Sequence, residues 1–108
     1  MCIRDRLDNS KFILPVSNDS SEHAWHLFCI RHKKRNKILD YLKSKSIESI
    51  IHYPIPPHLQ KAFEGLNFKK NSFPVTENIS KTVFSLPLNP NLTMDQVHYV
   101  VKNLNSSL

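Results

Sequence analysis

The chain has 108 residues, 40% of them hydrophobic, and a formal net charge of +6. That is enough chain for one domain with a modest core, and no apolar run approaches the roughly 18 residues needed to cross a bilayer. The single glycine, Gly65, excludes glycine-rich phosphate cradles, and with them a P-loop or a dinucleotide fingerprint.

Residues 1–6, MCIRDR, fit no element and are expected to be an unstructured or foreign start, with no secretory signal behind them. The domain is expected over residues 7–108. FILP at 12–15 reads as an edge strand closed by Pro15, and SNDSSE at 17–22 as a polar turn cluster. HAWHLFCIR at 23–31 reads as a strand. Ala24, His26, Phe28 and Ile30 would lie on one face and Trp25, Leu27, Cys29 and Arg31 on the other. Apolar groups on both faces predict a central position. Residues 33–46 read as a helix with a stripe of Ile38, Leu39, Tyr41 and Leu42.

IESIIHY at 47–53 reads as the next strand, stopped by Pro54. A short helix over 58–63 would follow Pro57 and end at Gly65. Residues 73–84 read as a helix with Pro74 in its first turn and Val75, Ile79 and Val83 at spacings of four. SLPL at 85–88 is extended, and Asn89–Pro90 turns the chain. Thr93 and Gln96 form a capping-box pattern ahead of Val97, Val100, Val101 and Leu104, which predicts a final helix. The order implies an α+β fold, a short, mostly antiparallel sheet with helices packed on it.

Four groupings invite a chemical reading. His23, His26, Cys29 and His32 follow H-x2-H-x2-C-x2-H, a spacing like that of zinc ligands. On a strand, His26 and Cys29 point to opposite faces, so no metal site is expected. Cys29, inside an apolar strand, is expected to be an inert buried thiol rather than a nucleophile. Two cysteines, Cys2 and Cys29, make no disulfide framework, so a reduced cytoplasmic compartment is the default. The sequons at Asn18, Asn78, Asn91 and Asn105 arise readily by chance in so Asn/Ser-rich a chain. The basic run from Arg31 to Lys37, RHKKRNK, could serve phosphate contacts of a small nucleic-acid-binding module, but a solvated helix face gives the same composition and is the expected reading. It lacks interleaved aromatic residues for base stacking.

The fourth grouping is IHYPIPPHLQ at 51–60, with two histidines, one tyrosine and three prolines in ten residues. Prolines lower the entropy of holding groups in place. His52 and Tyr53 would stand at a strand end, where side chains leave a sheet and meet a ligand. Imidazole and phenol each donate and accept hydrogen bonds, which suits a hydroxyl-rich ligand. A proline-braced connector with incidental histidines accounts for the same residues.

HAWHLFCIR, the basic helix, IESIIHYPIPPHLQKAF and FPVTENISKTVFSLPLNPNLTMDQVHYVV, in this order, resemble the C-terminal part of DegT-type sugar aminotransferases. The resemblance runs over about residues 7–104. Its specific parts are HYP-x-P-x-H, SLPL-x-P and the Thr-capped last helix. The HYPIPPHLQKAF stretch is most similar to the branch that aminates C3 of dTDP-3-keto-6-deoxyhexoses.

The resemblance implies the small C-terminal domain of a fold-type-I pyridoxal 5'-phosphate enzyme. It implies an amino group passed from a glutamate-type donor to a keto sugar on a nucleotide, in a cytoplasmic homodimer. His52 and Tyr53 match the HYP motif and are carried over as substrate contacts. His58 matches the following histidine, as a contact or as an organiser of the loop. The cofactor-linking lysine, its aspartate partner and the phosphate-binding residues belong, in the family, to a large domain that precedes this segment. None is matched here, so the resemblance implies no catalytic or cofactor-binding residue in this chain and no activity from it alone.

Overall fold

The computed structural model describes residues 3–18 and 22–108. Part of the expected turn cluster at 17–22 therefore lies outside the described residues. Two short strands, β1 (Phe28–Arg31) and β2 (Val83–Leu86), pair antiparallel with Ile30 opposite Phe84 and Cys29 opposite Ser85. Single bridges extend the sheet on each side, Ile13 to Arg31 of β1 and Ile50 to Ser85 of β2. β1 is thus flanked on both sides, as its two-sided apolar pattern predicts. The three helices are α1 (Arg35–Ser44), α2 (Pro74–Thr82) and α3 (Met94–Asn105).

The core lies where α1 and α3 cover one face of the strand pair. Phe28, Ile30 and Phe84 from the strands are fully buried with Ile38 and Leu42 of α1 and Leu104 of α3. Each such side chain contributes about 1.5–3 kcal/mol of burial. Ile3, Leu7 and Phe12 join the same cluster. Arg4–Arg6, expected to fit no element, forms a 3-10 turn.

Several expected elements come out shorter or differently placed. The expected strand at 23–31 is regular only from Phe28, and Trp25 takes a left-handed φ of 49°. The expected strands at 12–15 and 47–53 each reduce to one bridge, at Ile13 and Ile50. For the second, Pro54, Pro56 and Pro57 follow at once; they cannot donate to a ladder and force the chain off the sheet. Beyond them come two 3-10 turns, Pro57–Leu59 and Lys61–Leu66. Gly65 does not end this segment: it sits inside the second turn, and Asn67 supplies the left-handed cap at φ 54°. Asparagine tolerates that region through local side-chain hydrogen bonding.

The largest correction concerns residues 73–84. The helix stops at Thr82, because Phe84 has a full strand partner in Ile30 and a buried site. Its inward face is also not the apolar one. Val75 is 71% exposed and Ile79 38%, while Glu77 and Ser80 are buried. At the helix end, Arg35 Nη1 donates to the carbonyls of Ser80 (2.5 Å) and Val83 (3.3 Å). These are acceptors a helix C-terminus would otherwise leave unmet. Burial lowers the Arg35 pKa somewhat from its ordinary value. The final helix matches expectation: Thr93 Oγ1 accepts from Gln96 N and Gln96 Oε1 accepts from Thr93 N.

Candidate substrate-facing site

Across β1 and β2, Cys29 and Ser85 are directly opposed. Ser85 gives both backbone groups to Ile50: its N–H donates at 2.7 Å and its carbonyl accepts at 3.3 Å. Cys29 and Ser85 are therefore a non-hydrogen-bonded antiparallel pair, the type that brings side chains closest. Strand alternation puts both on the face opposite Phe28, Ile30 and Phe84. There Cys29 Sγ lies 3.3 Å from Ser85 Oγ, and Ser85 Oγ lies 2.9 Å from His52 Nδ1. Cys29 is thus not sealed in apolar surroundings, as its strand context predicts; it belongs to a polar cluster.

His52 is half-buried. Tyr53, joined to it by a cis peptide, is 65% exposed. The two rings meet edge to face at 5.5 Å. His52 Nε2 and the Tyr53 hydroxyl make no hydrogen bond among the described residues. A depression of about 230 Å³ adjoins His52, lined by His26, Glu48, Ser49, His52, Ser85 and Leu88 among others, and Tyr53 is not part of its wall. Sequence reasoning missed Ser85. The signal was present in the alternation of Phe84, Ser85 and Leu86, which puts the hydroxyl on the face opposite the core.

His58 sits elsewhere. Its Nε2 is 3.1 Å from Glu77 Oε1, and the two side chains are only 7% and 4% exposed. The Asn71 N–H donates to the same oxygen at 2.6 Å. Phe73 packs edge-on to His58, and Phe68 to Phe73. Burial works against the Glu77 charge. The hydrogen bonds from His58 and from the Asn71 and Phe73 backbone, with the His58 charge, outweigh it and hold the carboxyl below its ordinary value. His58 therefore ties residues 57–73 to α2 and does not stand beside His52 and Tyr53.

The other groupings disperse. His23 stacks on Trp25 at 4.1 Å, and His32 accepts the Lys34 N–H and tilts against Phe12. Among the described residues no group of three or more His, Cys, Asp or Glu could hold a metal ion. The basic run divides: Arg35 turns inward to α2, His32 is half-buried, and Lys33, Lys34 and Lys37 remain on the surface beside Lys81. No helix among the described residues is long and apolar enough to cross a membrane.

Residues 2–105 match the DegT/DnrJ/EryC1/StrS aminotransferase family. The chain belongs to this family. A relative from Aneurinibacillus thermoaerophilus, dTDP-3-amino-3,6-dideoxy-alpha-D-galactopyranose transaminase, is 40% identical over 94% of this chain and 27% of its own length. The crystal structure of S. venezuelae DesV in complex with a ketimine intermediate matches 89% of this chain and 26% of that one, with a TM-score of 0.84 and 31% identity. NtdA from Bacillus subtilis, with bound cofactor PMP, matches 98% of this chain and 25% of its own at a TM-score of 0.81 and 26% identity. The chain thus spans about a quarter of the length of these relatives.

The DegT-family aminotransferases it resembles are pyridoxal-phosphate-dependent, and the residues present here do not fit that cofactor. A lysine that links a carbonyl cofactor is activated by desolvation or a neighbouring cation. Every lysine of this chain is exposed. Gly65, the one glycine, faces open space inside a 3-10 turn, with no second glycine to build a phosphate cradle. No catalytic step through the cofactor is assigned to this chain.

Proposed function

We propose that this chain is the substrate-facing part of a longer nucleotide-sugar aminotransferase. In that protein an amino group would pass from a glutamate-type donor to a keto sugar, with pyridoxal phosphate held by residues outside this chain. The match to the dTDP-3-amino sugar transaminase supports C3 amination of a dTDP-keto-6-deoxyhexose. On this reading the chain is inactive alone and works in a homodimer. The cofactor supplies the electron sink for amino transfer; this chain supplies position. The observation that carries the reading is the arrangement of His52 and Tyr53. One imidazole nitrogen is held inside the fold by Ser85, the ring lines a depression, and the phenol of the next residue is exposed beside it. Such a pair would hold sugar hydroxyls rather than move the reacting proton.

The test separates the two half-reactions of the complete enzyme. His52→Ala removes one or two ligand hydrogen bonds, about 1–3 kcal/mol or roughly 5–150-fold. That loss is expected in turnover of the keto sugar, with the amino-donor half-reaction unchanged within about 3-fold. Equal losses in both halves would contradict the reading.

A further inference from the structure

The proposed site depends on a ring that can rotate, and the strand pair holds a device that stops it. We infer that Ser85 is a positioning residue for His52, fixing the imidazole so that Nε2–H is the donor presented to the substrate. This rests on the reading of His52 as a sugar contact. Ser85 is itself held on three sides. It is only 4% exposed, its backbone groups are both bonded to Ile50, and its side chain faces Cys29 across the strand pair.

The hydroxyl has one hydrogen and two neighbours, Cys29 Sγ at 3.3 Å and His52 Nδ1 at 2.9 Å. An imidazole nitrogen is a strong acceptor and a sulfur a weak one, whereas a thiol can donate weakly. The favoured order is therefore Cys29 S–H to Ser85 Oγ, then Ser85 O–H to His52 Nδ1. Nδ1 is then the bare nitrogen, and the proton of the neutral ring resides on Nε2. The opposite order would need the serine to donate to sulfur and would leave Nε2 as an acceptor only. Ser85 thus sets whether the site reads an oxygen lone pair or a hydroxyl proton. The cross-strand register that places Cys29 opposite it keeps the hydroxyl aimed.

The test uses the complete enzyme, labelled with 15N at histidine, with His52 assigned by its absence in His52→Ala. Nitrogen NMR of the resting protein at neutral pH is expected to show Nδ1 bare and Nε2 protonated in one slowly exchanging form. A protonated Nδ1, or two forms averaging, would overturn the inference without any variant being made. Ser85→Ala is expected to restore averaging and raise the sugar KM about 10-fold with the amino-donor half-reaction unchanged; Ser85→Thr, which keeps the hydroxyl, is expected to recover both. If Ser85→Ala leaves the nitrogen signals as they are, Ser85 does not position His52. If the signals change and sugar KM does not, the ring is positioned as inferred, and it is the reading of His52 as a sugar contact that falls.

Discussion

Glu77 is buried on a helix whose apolar residues Val75 and Ile79 face outward. Its carboxylate gathers the His58 imidazole and the Asn71 amide on one oxygen. A carboxylate whose folded pKa is lowered stabilises the fold fully above its unfolded value, and the stabilisation is lost as pH falls through the folded one. With an ordinary value of 4.5 for Glu77, its stabilisation of residues 57–73 is fully present above that pH and is lost as pH falls through the lower folded value. The Asn71 amide resonance is expected to titrate with a midpoint under 4.5, and not to titrate in Glu77→Gln. A midpoint at or above 4.5 would contradict the lowered pKa, and titration persisting in Glu77→Gln would show that the anchor is not this carboxylate. His58→Ala is expected to loosen the same segment while leaving the His52–Ser85 contact intact, since the two histidines belong to separate clusters.

Among the elements, α3 is the most local in origin. Its start rests on the reciprocal Thr93–Gln96 bonds at 3.2 and 2.9 Å. Thr93→Ala is expected to cost about 1 kcal/mol in urea unfolding, and Thr93→Ser to cost little; a loss under ~0.3 kcal/mol for Thr93→Ala would mean the box adds nothing to packing. This helix was legible in the chain because cap and periodicity agree. α1, which has no side-chain cap, was legible from periodicity alone, its stripe of Ile38 and Leu42 being the buried one. α2 was misread because its inward face is polar. Val75, Ile79 and Val83 have helical spacing, yet Glu77 and Ser80 are the buried residues. The β2 boundary was shifted because pairing of Phe84 with Ile30 across the sheet outweighs local helical preference. In the proposed site, His52 and Tyr53 were visible as residue types at an expected strand end. For Ser85 the alternation showed the face but not its partner His52, and for Glu77, in the separate His58 cluster, no signal was present; each acts on a residue far away in the chain, and periodicity carries no such pairing.

At the scale of the whole molecule, the Cα radius of gyration is 15.5 Å, against about 13 Å for a compact domain of this length. Residues 53–75 are nearly all exposed. Leu66, Phe68, Phe73 and Val75 are among their exposed apolar side chains. Phe68 and Phe73 pack against each other, and grouped apolar surface of this kind marks an interaction site. On the proposed function, the rest of the longer protein covers it, and that same part carries the cofactor. The division of labour is the central claim: substrate rim here, cofactor elsewhere. Borohydride reduction of the complete enzyme with pyridoxal phosphate, followed by peptide mapping, tests it most directly. The expected result is one stoichiometrically modified lysine outside residues 1–108, with only scattered, substoichiometric modification of the exposed lysines within them. A single stoichiometric label on a lysine inside residues 1–108 would contradict the account.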